Sequence, residues 1–314
     1  MGDSSSRAGT LDVLHYRPWR GAFRAPAASV WPVARVALAM MFRRRLFWGL
    51  FALGMLVFLL FFFGLYLLIW LETQTGETQV RAGVFGRVNV AFVIRLLRNQ
   101  ARLDGSAATY GYFFFYQGYM VMIMLALAGA ILVGNDLRFG SLPFYLSKPL
   151  SRWHYLVGKG LAVAVFINLM TTVPALGLFV EYGLFDPGDY YRSHAYLALG
   201  ILAYGAVATV SLTLLLLATA TWLQRTVPLI MTWTTLFVFC RRLAVALVDR
   251  LHFDPRWRLI DLWNDAYVVG MACLRQPLRG REPAWHEAAL VLGGVSLLCL
   301  SYLILRIRAV EIVK

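Results

Sequence analysis

Charged residues are scarce in this sequence. Only 15% of its 314 residues are Asp, Glu, Lys or Arg, whereas soluble domains have about a quarter. Hydrophobic residues make up 60%, the mean hydropathy is +0.65, and several stretches exceed the ~18 apolar residues that suffice to cross a bilayer. These values exclude a soluble globular chain and predict an all-α, polytopic membrane protein.

Cysteine frameworks and metal-binding patterns are also missing. Cys240, Cys273 and Cys299 are scattered and match neither a disulfide framework nor a zinc site, so we interpret them as small apolar side chains. No metal ligands are predicted. We expect no cleavable signal peptide, because a polar leader of about forty-five residues precedes the first apolar run and no small-residue cleavage site is present.

Six apolar segments are long enough to be membrane spans. We place them at about 46–71, 111–133, 157–182, 195–223, 226–247 and 287–305. The fifth is the weakest because Arg241 and Arg242 interrupt it, so it is expected to be kinked, short or partly re-entrant. Pro228 suits the first turn of its helix. Residues 1–28 are predicted to form a cytoplasmic tail, and 29–314 a single transmembrane domain.

The positive charges that flank the spans predict their orientation. Three consecutive arginines precede the first span, and Arg306 and Arg308 follow the last, which favours both termini in the cytoplasm of an inner membrane. The eight arginines of the 241–286 segment argue against this orientation, although neighbouring aspartates offer local pairing. We attribute the net charge of +14 to contact with anionic membrane lipid, and nucleic acid is not a predicted partner.

Three segments outside the spans have the pattern of amphipathic helices. The stretch 29–45 predicts a helix in the inner membrane interface, because its arginines would otherwise enter lipid; the alternative is that it extends the first span. The segments 85–102 and 248–285 predict amphipathic extracytoplasmic helices. The residues that define the interfacial entry helix are Trp31, Arg35, Arg43, Arg44 and Arg45.

Motifs for catalysis are incomplete in this chain. The only Gly-Lys pair, Gly158-Lys159, is followed by glycine where a phosphate-binding loop needs Ser or Thr, so no nucleotide site is predicted. The zinc-protease pattern that begins at His286 has Leu290 in place of its second histidine. Ser296 has no mid-span histidine as a base, which makes an intramembrane hydrolase the least favoured class.

Polar residues inside the predicted spans are few, and none in the middle of a span is an acid or a base. Gln117, Asn168 and Thr171 are the candidates for a transport pathway, since buried polar groups in lipid often mark one. The alternative is that they join helices by hydrogen bonds. The lack of a central ionisable residue argues against a carrier driven by protons or sodium.

A long polar segment joins the second and third predicted spans. It reads NDLRFGSLPFYLSKPLSRWHYLVGKG, from Asn135 to Gly160. Gly140 permits a sharp reversal, two prolines divide the chain into short pieces, and a serine precedes a helix that we expect to begin at Arg152. With Lys148, Arg152 and Lys159 expected at the inner surface, the segment predicts a rigid, basic and aromatic projection toward the cytoplasm.

This segment resembles the inner turn of type-2 ABC transporter permeases, the six-span subunits of exporters. Their usual pattern is an acid, Gly-Thr-Leu, a short apolar run, Pro-Val-Ser-Arg, an aliphatic pair and Gly-Lys. Here Asp136, the Gly-Ser-Leu that starts at Gly140, the Pro-Leu-Ser-Arg that ends at Arg152, and Gly158-Lys159 stand at these places. The departures, Asp for Glu, Ser for Thr and Leu for Val, keep the chemistry.

The resemblance implies a permease subunit of an ATP-driven exporter and no enzymatic activity in this chain. It implies a coupling helix that docks on a separate ABC ATPase subunit, present in two copies with its ATP and Mg²⁺, and a second permease chain in a homo- or heterodimer. The exported substrate is not implied. The alternative from another class is a non-transporting membrane scaffold, such as an assembly factor for an envelope enzyme. The residues implied in ATPase coupling are Asp136, Arg138, Gly140, Phe144, Tyr145, Lys148, Pro149, Arg152, Trp153 and Lys159.

Overall fold

Helices that could cross a membrane make up most of the protein. The computed structural model describes residues 30–73, 79–81, 87–89, 94–95, 103–129, 132, 134, 136, 152–185, 189–278 and 280–306. Six helical stretches in this part are long and apolar enough to span a bilayer, which confirms the prediction of a polytopic helical membrane protein. They are Phe47–Trp70, Ala107–Gly129, Trp153–Phe185, Tyr190–Leu223, Thr226–Arg250 and Trp285–Arg306.

The helices are numbered here in chain order. They are α1 (Val30–Phe42), α2 (Arg45–Thr73), α3 (Ala107–Gly129), α4 (Arg152–Met170), α5 (Thr172–Phe185), α6 (Tyr190–Leu223), α7 (Thr226–Thr234), α8 (Cys240–Val245), α9 (Leu262–Cys273) and α10 (Trp285–Arg306). Two π-helical turns, Thr235–Phe239 and Ala246–Arg250, follow α7 and α8, and a 3₁₀ helix covers Pro255–Ile260. We call the two ends of the bundle the α1 end and the α9 end.

The second, third and fourth spans form the centre of the bundle. More than half of the residues in these spans are buried, but fewer than a quarter in the first, fifth and sixth. Glycines allow close helix contacts in the centre, for example Gly205 of α6 against Thr172, and Gly129 of α3 against Leu216. Such contacts matter because lipid offers no hydrophobic force to bring helices together.

The third span is interrupted at Thr171, between α4 and α5. Pro174 explains the break, because it has no N–H to donate to the carbonyl four residues earlier, that of Met170. At the break, the Ile167 carbonyl accepts from both the hydroxyl and the backbone N–H of Thr171, at 2.8 and 2.9 Å. The fifth span continues to Arg250 through its two π-helical turns, and Pro228 lies in the first turn of α7 as predicted.

The entry segment forms α1, which is separate from the first span. The chain turns at Arg43 and Arg44 before α2 begins at Arg45, so the alternative of one continuous helix is wrong. Ala34, Ala37 and Met41 are buried, and α1 packs along the first half of α4.

Two predictions for the links at the α9 end are wrong. Arg87–Asn89 does not belong to an amphipathic helix but is a strand, β2, paired antiparallel with β1 (Gln79–Arg81); within the predicted 85–102 helix, the described residues Ile94 and Arg95 are helical. In the 248–285 segment, α9 does not lie on the surface, because most of its side chains are buried in the bundle.

α9 is packed between the helices of the bundle. Trp263 at its start packs on Gly118, eleven residues into α3 and therefore about 16 Å from the start of that helix. The indole of Trp263 donates to the Phe115 carbonyl, at 3.3 Å. At the other end of α9, Leu274 packs on Gly200, ten residues into α6. The Asp261 carboxylate caps α9 by accepting from the backbone N–H groups of residues 263 and 264.

Candidate functional site

Most of the predicted coupling segment lies outside the described residues. This holds for Arg138, Gly140, Phe144, Tyr145, Lys148 and Pro149, and the side chain of Arg152 is not described either. Asp136 and the first turns of α4, from Trp153, are described, and they lie at the α1 end. α4 begins at Arg152, as predicted from the proline and serine that precede it. Trp153 is exposed, as predicted.

Asp136 and Lys159 form a buried ion pair at the α1 end. The Lys159 Nζ lies 2.8 Å from Asp136 Oδ2 and donates to the Leu132 carbonyl at 2.6 Å. The Tyr155 hydroxyl donates to the same carboxylate oxygen, at 3.0 Å. These contacts join the last described residues after α3 to the second turn of α4. The two ends of the undescribed stretch 137–151 are therefore tied together.

Lys159 is only 1% exposed, so its predicted place at the inner surface is wrong. A lysine is rarely buried unless it has a charged partner, and the sequence does not reveal that partner, which lies 23 positions away. A buried ammonium needs hydrogen bonds as well as an opposite charge. Lys159 has both, from the Asp136 carboxylate and the Leu132 carbonyl. It joins α4 to Leu132 and Asp136 and is not part of an exposed basic surface.

The entry helix contacts α4 directly beside this ion pair. Gly158, next to Lys159, has no side chain, and a Cβ at this position would lie 2.8 Å from the Cβ of Val33 and 3.1 Å from the carbonyl of Val30. Close approach of α1 therefore depends on glycine here. Several residues of α1 and of the turn after it are exposed. They include Trp31 and Arg35 of α1, Arg43 and Arg44 of the turn, and Arg45 at the start of α2.

The predicted pathway residues do not form one continuous row. Asn168 of α4 donates to the Thr209 hydroxyl at 2.9 Å and accepts from Thr172 at 2.7 Å. Thr171 bonds within its own helix. The bond to Thr209 favours the interpretation of Asn168 as a group that joins helices, whereas the hydroxyl of Thr171 makes only a local bond in the third span. Gln117 differs: it is fully buried, and its amide makes no hydrogen bond to any described residue.

A polar cluster surrounds α9, and the sequence suggested only the local pairing of arginines with aspartates within it. Arg258 binds the Asp249 carboxylate, at 2.6 Å, and also binds Glu282. Glu282 accepts from the Asn264 amide at 2.8 Å. Asp265 is fully buried and its carboxyl makes no hydrogen bond to the described residues. The sequence could not place this cluster at depth, because its residues lie between two predicted spans.

Burial raises the carboxyl pKa values in the α9 cluster. Desolvation raises the pKa of Asp265 to about 8, with the negative charges of Asp261 and Glu282 as further causes. Desolvation also raises the pKa of Glu282, although Asn264 and Arg258 act against it. Asp265 is therefore protonated at neutral pH. Glu181 of α5 is another buried acid among the described residues, and it lies close to the end of the predicted third span.

Groups that could bind a metal are not found in the described part of the chain, where no three His, Cys, Asp or Glu side chains come close enough together. Comparison with known family models and with curated proteins finds no match to this chain. The arguments for function therefore depend on the residues and their geometry.

Proposed function

We propose that this chain is the membrane-spanning permease subunit of an ATP-driven exporter, with its α1 end facing the cytoplasm. The observation that carries the proposal is the buried Asp136–Lys159 ion pair, which ties together the two ends of the 137–151 segment at 2.8 Å. A projecting segment can transmit the movement of a partner subunit to the spans only if the residues at its two ends are held in place. Beside the ion pair, α4 also contacts α1. Movement of the segment would therefore displace the entry helix and the third span together.

The partners follow from this proposal. A separate ABC ATPase subunit, in two copies with ATP and Mg²⁺, docks on the 134–156 segment at the cytoplasmic face of an inner membrane. A second permease chain completes the transport path. The exposed Trp153 suits an interface contact, since aromatic side chains are enriched at the centres of interfaces. The transported substrate is not part of the proposal.

Co-purification tests this function. The variant Arg152→Glu/Trp153→Ala should remain in the membrane but lose the ABC ATPase that is co-expressed with it, because a repulsive charge and a missing ring weaken the interface. The matched control is Arg281→Glu/Trp285→Ala, which changes the same residue types at exposed positions of the α9 end. Equal ATPase recovery with both variants would contradict docking at this segment and favour the scaffold alternative.

A further inference from the structure

An apolar groove runs along the lipid-facing side of the bundle between α3 and the fifth span. Its volume is about 220 Å³. Met122, Ile123 and Ala126 line it from α3, and Ile230, Trp233 and Val238 from the fifth span. Ile123 and Val238 are among the exposed large hydrophobic residues, so the groove is open toward lipid. Its apolar lining suits an acyl chain.

Two arginines stand at the end of this groove that points toward α9. Arg241 and Arg242 follow the lining residues Phe237 and Val238 by four positions, hence by about one helical turn on the same face. The guanidinium of Arg241 lies 4.6 Å from the centre of the Phe115 ring and 5.2 Å from that of Tyr119. It also donates to the Tyr119 hydroxyl. Arg242 is exposed.

These two charges have no ion-pair partner among the described residues, although Asp261 and Glu282 act on Arg241 from a distance. They precede Arg250, the end of the span, by eight and nine residues, which places their Cα atoms about 12–14 Å inside that end. A charged arginine at such a depth is costly, and it is almost always paired. A negatively charged group from outside the chain would remove this cost.

The local backbone also marks this position. The π-helical turns Thr235–Phe239 and Ala246–Arg250 lie immediately before and after α8, which carries both arginines. π-helical turns are rare and are frequently found at functional sites. Here they interrupt the regular helix on each side of the charged pair.

We propose that the groove and the two arginines form a binding site for one anionic phospholipid. The phosphate pairs with Arg241 and Arg242, and one acyl chain lies in the groove. The planar guanidinium of Arg241, oriented by Tyr119, is suited to bind two phosphate oxygens at once. The bilayer thinning and side-chain extension that accompany arginine in membranes bring the phosphate within reach. This proposal does not depend on the permease function.

Lipid titration of the delipidated full-length protein tests the site. In a non-ionic detergent, phosphatidylglycerol should raise the melting temperature, and phosphatidylcholine with the same chains should not. A basic residue contributes about fivefold to the binding of anionic lipid. The affinity should thus fall about 30-fold in Arg241→Gln/Arg242→Gln and about fivefold in Arg242→Gln, which keeps the packing of Arg241. Arg250→Gln, which removes an exposed arginine from the same span, should bind as the wild type does.

Two further measurements distinguish the contribution of the lipid head group from that of the acyl chain. Ile123→Trp fills the groove and should weaken phosphatidylglycerol binding with both arginines in place, and glycerol 3-phosphate should not stabilise the protein. Equal stabilisation by phosphatidylcholine, or unchanged affinity in the Arg242→Gln variant, would overturn the proposal. Stabilisation by glycerol 3-phosphate would show that the site binds phosphate without an acyl chain, and this result would also contradict the proposal. If the Ile123→Trp variant changed the proportion of dimer but phosphatidylglycerol stabilised neither protein, the groove would be an interface with a second copy of the protein, and the proposal would be wrong.

Discussion

Lys159 is the residue whose environment differs most from its sequence-based prediction. The variant Lys159→Met leaves the Asp136 carboxylate buried without its partner, and such a loss costs about 3–5 kcal/mol. We expect a marked fall in the melting temperature of the detergent-purified protein. Asp136→Asn/Lys159→Met should recover much of this loss, since no buried charge remains. The exposed Arg225, replaced by Met, provides the control. Equal melting temperatures for Lys159→Met and the control would argue against a structural ion pair.

Asp265 gives the protein a predictable dependence on pH. Its carboxyl has a pKa of about 8 in the folded protein, against an ordinary value of 3.8. Between these values the folded state keeps a proton that the unfolded state releases, so stability falls as the pH rises from about 4 to 8 and is constant above 8 for this group. Asp265→Asn should flatten the fall in melting temperature between pH 5.5 and 8, because the amide does not titrate.

The control for this measurement is Asp189→Asn, which replaces an exposed aspartate. It should keep the wild-type slope of melting temperature against pH. Asp261 and Glu282, whose pKa values are also raised by burial, leave a residual slope in Asp265→Asn. If Asp265→Asn and Asp189→Asn had the same slope as the wild type, Asp265 would not be a buried, protonated carboxyl.

At the scale of the helices, the contact between α1 and α4 depends on one glycine. A Cβ at Gly158 would lie 2.8 Å from that of Val33, whereas at Gly160 the nearest atom, Cγ2 of Thr213, would be at an ordinary 3.5 Å. Gly158→Ala should therefore displace α1 and lower the melting temperature. Gly160→Ala should be neutral or stabilising, since alanine favours a helix over glycine by about 1 kcal/mol. The two positions differ by half a turn on the same helix.

This pair of variants also tests the coupling of α1 to the segment. If movement of the segment reaches the entry helix through α4, Gly158→Ala should reduce ATP hydrolysis by the proposed complex of this protein with its ATPase subunit. Gly160→Ala should not reduce it. Similar melting temperatures and similar ATP hydrolysis in the two variants would contradict a contact that requires glycine.

At the scale of the whole molecule, the membrane spans were predictable and their packing was not. Apolar length alone locates the six spans, because few other structures need more than eighteen consecutive apolar residues. The depth of α9 was not predictable, since it depends on Gly118 and other small residues of distant helices that admit Trp263. The same holds for the site: Asp136 and Lys159 were both identified from the resemblance, but their pairing is a tertiary contact.

The central claim is that the 134–156 segment docks on an ATPase subunit. The most direct test is photo-crosslinking from position 153, where a benzoylphenylalanine replaces the exposed Trp153, with position 285 at the α9 end as the control. We predict an adduct between the chain and its ABC ATPase from position 153, altered by ATP, and none from position 285. An intact complex with ATPase activity but no adduct from position 153, or equal adducts from both positions, would contradict the claim.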